Sequence, residues 1–153
     1  ISAAMNYEFA APTTSLAIAM NGLVEGLNIV AGVATDQASE TAENDIETMG
    51  ISYSMGAVSV GAQTTEVDAQ AATSDIDRTS FGISFAVNEN FSVGYGVSEV
   101  EYEALTNDEE STGFGLSYTS GGMKIGLINN QKDNLNGGTT NMEMTELQLT
   151  FAF

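Results

Sequence analysis

Residues 79–97 read Thr79-Ser-Phe-Gly-Ile-Ser-Phe-Ala-Val-Asn-Glu-Asn-Phe-Ser-Val-Gly-Tyr-Gly-Val97. Phe81, Ile83, Phe85 and Val87 alternate with Ser80, Gly82, Ser84 and Ala86. After Asn88-Glu89-Asn90 the pattern resumes, with Phe91, Val93, Tyr95 and Val97 alternating with Ser92, Gly94, Gly96 and Ser98. Successive side chains of a strand point to opposite faces, so period two predicts two strands joined by a tight turn. Each strand has one bulky apolar face and one face of small residues. A soluble sandwich also alternates, but its second face meets water and usually carries Lys, Arg, Glu and Thr. Here that face is Gly, Ser and Ala, and the charge lies elsewhere. Lipid against the apolar face and a lumen against the small face explain the pattern better.

The same alternation extends in both directions. Phe114, Leu116 and Tyr118 alternate with Gly113, Gly115 and Ser117. Leu147, Leu149, Phe151 and Phe153 alternate with Glu146, Gln148, Thr150 and Ala152. Ten strands are expected, near 2–9, 15–21, 27–35, 46–55, 58–67, 79–87, 91–101, 111–119, 123–130 and 141–153. Tight turns at 21–26, 56–57, 88–90 and 120–122 alternate with long polar connectors at 36–45, 68–78, 102–110 and 131–140, and with a shorter one at 10–14. Short turns at one end and long loops at the other describe an up-and-down transmembrane β-barrel. Phe85, Phe91, Tyr118 and Phe153 fall beside the short turns or the C-terminus, as an interfacial aromatic girdle would.

Composition narrows the function. The chain has 153 residues, with 21 acids against Arg78, Lys124 and Lys132, a net charge of -18, and neither Cys nor His. Disulfides, thiolate metal sites and His-based triads are therefore excluded, and no enzyme activity is expected. So acidic a chain repels phosphate backbones, so no nucleic-acid partner is expected. No apolar run reaches the ~18 residues of a transmembrane helix. The N-terminus lacks a signal-peptide pattern, so any such segment is expected to be already removed. The start on Ile1, already in strand pattern, suggests that part of a longer protein is missing.

The ending Glu146-Leu-Gln-Leu-Thr-Phe-Ala-Phe153 resembles the last strand of outer-membrane barrel proteins. That resemblance implies recognition by the barrel-assembly machinery through the strand ending in Phe153. The segment Thr112-Gly-Phe-Gly-Leu-Ser-Tyr-Thr-Ser-Gly-Gly-Met-Lys-Ile-Gly-Leu127 resembles the penultimate hairpin of Gram-negative general diffusion porins, most closely those of alphaproteobacteria. The likeness is best over 79–153 and only general over 1–78. It implies the C-terminal part of a sixteen-stranded, water-filled barrel in the outer membrane. The family is usually a homotrimer and passes small hydrophilic solutes without chemistry or cofactor. Its pore-narrowing inward loop would lie in the missing half. The alternative is a complete ten-stranded barrel closed between 2–9 and 141–153, with a structural, adhesive or partner-binding role for its acidic loops. The many small inward residues argue against so narrow a barrel.

Parity nominates the pore-lining residues Ser84, Gly94, Gly96, Gln148, Arg78 and Lys124. Arg78 is expected at the outer mouth and Lys124 at the periplasmic mouth. Basic residues on a porin wall set a transverse field, while local ion pairs with acids are an equal alternative. Fifteen of the 21 acids cluster in or beside three long connectors. Asp108, Glu109 and Glu110, with Glu40, Glu43 and Asp45, are candidates to bind calcium or magnesium, or to bridge through cations to lipopolysaccharide. A solvated acidic surface is the plainer alternative. A mouth ringed by carboxylates is expected to favour cations. Glu99, Glu101 and Glu103 share the parity of the lipid face. Either the strand has left the membrane there, or a bulge reverses its facing; a similar reversal is open at Met142 and Met144.

Overall fold

The computed structural model describes residues 2–8, 13–39, 42–70 and 74–152. Phe9, Glu40 and Phe153, and the middle of the 10–14 connector, lie outside them. Ten strands follow in chain order: β1 (Ser2–Glu8), β2 (Thr13–Asn21), β3 (Leu27–Ser39), β4 (Ala42–Met55), β5 (Val58–Ala69), β6 (Ile76–Asn88), β7 (Phe91–Tyr102), β8 (Glu109–Ser120), β9 (Met123–Asp133) and β10 (Met142–Phe151). Each pairs antiparallel with its sequence neighbours in a single sheet ordered β1 to β10. No pairing joins β1 to β10 among the described residues.

The turns follow from their residues. Gly56-Ala57 and Gly121-Gly122 are two-residue loops in which only the first position has positive φ, 58° in both. That is the signature of a type II′ turn, which needs Gly first and matches the twist of paired strands. At 88–90 the Asn88 side-chain oxygen accepts the N–H of Asn90 and of Phe91, both at 2.9 Å. The Ala152 N–H reaches the Gly122 carbonyl, so the C-terminal strand ends beside that turn. Asp108 and Gly121 lie beyond opposite ends of β8. The short turns and the C-terminal strand end therefore share one end, as the alternation predicts.

The long connectors are shorter than expected, because pairing continues through the acidic residues. β3 and β4 stay in register through Asp36 opposite Asn44 and Gln37 opposite Glu43. β5 and β6 extend to Val67 opposite Ile76. Alternating Thr, Glu and Asp lose the hydrophobic signal but keep the backbone donors and acceptors that a ladder needs. The Met142–Phe151 strand pairs with β9 without a register shift, so no reversal occurs at Met142 or Met144. β7 also runs without a shift from Phe91 to Val100 against β8, and from Ser92 to Tyr102 against β6. Glu99 and Glu101 therefore keep the outward parity of Tyr95 and Val97, and the strand has left the apolar zone by Glu99.

The apolar side chains do not form a core. Val100 is the one buried hydrophobic residue among those described, while Ile51, Phe81, Ile83, Phe85, Tyr95, Phe114 and Leu149 are 41–51% exposed. A soluble sheet would bury that set. Val93 and Leu116, expected to be exposed, share the same face but are half-buried. Both sit mid-row, with Phe85 and Leu127 beyond them, and their neighbours cover them. Phe91 and Tyr118 stand directly opposite each other on this face near the short turns, as a girdle requires.

Facing can be tested by charge insertion. Ile83 lies mid-band in the outward row Tyr53–Val60–Ile83–Tyr95–Phe114. Ile83→Arg is expected to destabilise the protein folded in bilayers by about 2–4 kcal/mol. Ser84→Arg, one residue on and inward, should cost far less. Urea titrations in lipid vesicles measure both, and equal costs would contradict the assigned faces.

Candidate pore wall

The face opposite the apolar band is concave and nearly bare. Residues from β3 through β10 line one cavity of about 700 Å³, including Asn28, Ser52, Gln63, Ser80, Ser98 and Asn130. Across its middle runs a row in direct register, Ser52–Gly61–Gly82–Gly96–Gly113–Asn130. Four adjacent strands thus present no side chain at one height. At Gly61, Gly82 and Gly96 packing does not force this absence, whereas a Cβ on Gly113 would come within 2.8 Å of Asn130 Oδ1. A Cβ on Gly96 would meet only the Phe81 carbonyl at 3.5 Å, and one on Gly82 only the Tyr95 carbonyl at 3.8 Å. The wall is open where a side chain would fit.

All six sequence-nominated wall residues lie on this face. Ser84, Gly94 and Gly115 form the next row towards the short turns. Gln148 lies opposite Gly126, and Lys124 opposite Thr119 and Thr150, at the short-turn end. Arg78 lies opposite Thr65 and Val100 near the other end. Of the six, only Gly96 borders the main cavity. Sequence reasoning missed Lys132, Asn130, Met142 and Met144, which line it as well. The expected strand stopped at residue 130; carried to Asp133, the same parity would have turned Lys132 inward.

The acidic candidates separate rather than converge. Glu43, Asp45, Glu47, Glu66, Asp68, Asp77, Glu99, Glu101, Glu110, Asp133 and Glu143 all have outward parity. Asp45 accepts the Thr35 hydroxyl at 3.0 Å, and the Glu43 N–H donates to the Gln70 side-chain oxygen at 3.1 Å. Asp108, Glu109 and Glu110 occupy a connector, the inner face and the outer face respectively. Among the described residues, no group of three or more carboxylates could hold a metal ion. The carboxylates thus stand mainly on the outer wall above the apolar band, not in a ring around the mouth.

Among the described candidates on strands, Glu109 alone faces inward. It is 3% exposed and accepts from Lys132 Nζ at 2.5 Å and from the Asn136 N–H at 2.9 Å. It lies above the apolar band, at the outer end of β8. The Asn136 N–H and Lys132 hold its carboxyl below the ordinary carboxylate range, against the opposing effect of burial, and Arg78 adds attraction. Hydrogen bonds and opposite charges favour the ionised form.

An up-and-down sheet with a lipid-type outer band and a bare concave wall defines an outer-membrane barrel protein. The family model for Gram-negative porins matches residues 2–151, and the chain belongs to that family. It is an outer-membrane protein of the porin type. A search of curated proteins finds no match.

The Glu109 pairing gives a pH prediction. A carboxyl whose folded pKa is depressed contributes stability above its unfolded pKa, and loses it as pH falls through the folded value. Protection of the Asn136 amide against hydrogen exchange, corrected for intrinsic rates, should persist through the ordinary glutamate pKa of about 4.3. It should fail only in stronger acid. Loss already between about pH 6 and pH 5 would contradict the assignment.

Proposed function

We propose that these ten strands form part of the wall of a water-filled pore for passive diffusion of small hydrophilic solutes and ions, without a cofactor. The bare glycine row Gly61–Gly82–Gly96–Gly113 carries this reading, because at Gly61, Gly82 and Gly96 it widens the lumen where packing would admit side chains. The sheet edges at β1 and β10 face no further strand among the described residues. Exposed edges seek partners, which supports a larger closed barrel such as the sixteen-stranded one of the family the chain resembles. A homotrimer and assembly through the C-terminal strand belong to the same proposal. β10 keeps Leu147, Leu149 and Phe151 outward, as a strand presented to assembly machinery from the membrane side would.

The outward carboxylates suit a second part of the proposal. They stand above the apolar band, where outer-leaflet head groups lie, and calcium or magnesium would bridge them to anionic lipopolysaccharide. The lumen has a different balance. Across β2–β10 the inward strand positions carry Arg78, Lys124 and Lys132 against Asp36, Glu109 and Glu146.

Planar-bilayer recordings of the intact protein test both points. Wild type should open in large steps, and Gly82→Arg and Gly96→Arg should lower the unit conductance without loss of folded protein. Absence of openings would overturn the pore reading. Reversal potentials in dilute salt should move towards cations in the Arg78→Gln/Lys124→Gln variant. They should move much less when Glu99, Glu101 and Glu110 become Gln, since those lie across the wall and screening acts over about 8 Å at physiological salt. The opposite ranking would return control of selectivity to the outer carboxylates.

A further inference from the structure

The β9–β10 connector is folded back against the inner side of the wall. After Asp133 the chain makes a compact turn in which Asn134 and Asn136 have φ 54° and Gly137 has φ 70°. Asn and Gly tolerate this left-handed region better than other residues, so the residue types specify the shape. The turn closes on itself through the Leu135 N–H to the Thr140 carbonyl at 2.8 Å, and the Asn134 N–H to the Asn141 side-chain oxygen at 3.1 Å. It is then tied to the β7–β8 connector and to the start of β8. Asn134 Nδ2 donates to the Asp108 carbonyl at 3.0 Å, and Asn107 Nδ2 donates to the Gly138 carbonyl at 3.1 Å. The Asn136 N–H meets Glu109, which also holds Lys132.

The side on which it lies matters most. Glu109, Lys132 and Tyr102 all have inward parity. Gly137 is buried against Tyr102 and Leu105, where an added Cβ would run into the Leu105 side chain. One inward row near the outer mouth, just inside Asp36–Asn44–Ala69, is also apolar: Ala34, Ile46, Val67, Ile76 and Tyr102, in direct register and half-buried. Such a row does not suit a freely hydrated mouth, and the folded connector covers its Tyr102 end.

We propose that residues 134–141 form a fixed shelf on the lumen side of the outer mouth, seated by Glu109, that limits the opening and holds Lys132 neutralised. The proposal rests on the channel reading of the concave face. It makes Glu109 a positioning residue for permeation and not a free mouth charge.

Two variants unseat the shelf by different means. Glu109→Gln removes the charge-assisted contacts and frees Lys132. Gly137→Val leaves charge unchanged but places a side chain against Leu105 and Tyr102 at positive φ. The chain has no Cys, so Val100→Cys, at a position 3% exposed, gives one reporter thiol in this region. Membrane-impermeant maleimide on intact cells reads seating independently of transport. Labelling of V100C should rise in either variant, and by about tenfold or more in Glu109→Gln, the factor expected on losing one charge-assisted hydrogen bond. In bilayers, both variants should show flickering openings of larger maximal conductance. Only Glu109→Gln should also move the reversal potential towards anions.

Unseating with unchanged conductance and noise would make the connector a strut only, and would overturn the proposal. Unchanged labelling in both variants would show that Glu109 and Gly137 do not seat it, with the same consequence. Absence of openings in wild type overturns the pore reading itself. V100C protection then still reports whether the connector is seated, so the two failures are distinguishable.

Discussion

The structure depends on one constraint. Within lipid every backbone N–H and C=O must find a partner inside the protein, because no water is present to supply one. Here β2 to β9 meet that demand on both sides with their sequence neighbours, so the short turns set the register. Gly56-Ala57 fixes Met55 opposite Val58, and every later pair follows: Tyr53 with Val60, Ser52 with Gly61, Glu47 with Glu66. A slip of one residue would turn Tyr53 and Ile51 into the lumen and Ser52 and Gly50 into lipid. The apolar band, the glycine row and the placement of charge are three consequences of the same ladder.

That dependence explains what the amino-acid sequence disclosed. Where alternation was hydrophobic, as in Phe81 to Val87 or Phe114 to Tyr118, strand, facing and turn were all legible. Ser84, Gly94, Gly96 and Gln148 were nominated from parity alone, and the register puts them on the face opposite the apolar band. The strand ends were not legible, because Asp36, Glu43, Asp45 and Glu47 continue the ladder without an apolar signal. The doubt over facing at Glu99 arose from the same cause. A strand that outruns the membrane needs no bulge, and the pairing from Ser92 through Tyr102 contains none.

Glu109 was illegible for a different reason. In sequence it is the middle of three consecutive acids and reads as part of a solvated loop. Its partners Lys132 and Asn136 are 23 and 27 residues away, and they meet it only because β8 and β9 pair and the following turn folds inward. Long-range hydrogen bonds between a carboxylate, an amine and a backbone N–H leave no periodic trace. The clue that sequence did contain was the close run of Asn134, Asn136 and Gly137, residue types suited to a tightly shaped connector rather than a floppy one.

Charge shows how far composition can mislead until a facing is assigned. A net charge of -18 suggests a cation-attracting mouth. The ladder divides that charge between two surfaces: eleven carboxylates stand outward, above the apolar band, and all three bases stand inward. The field felt by a permeating ion depends on the near wall far more than on the total, because screening in water acts over about 8 Å at physiological salt. Lys132 is further removed from that field by its pairing with Glu109. Arg78 and Lys124, at opposite ends of the wall, therefore carry more electrostatic weight in the lumen than their numbers suggest. The excess of acid is a property of the outer surface, where it faces the lipid head groups.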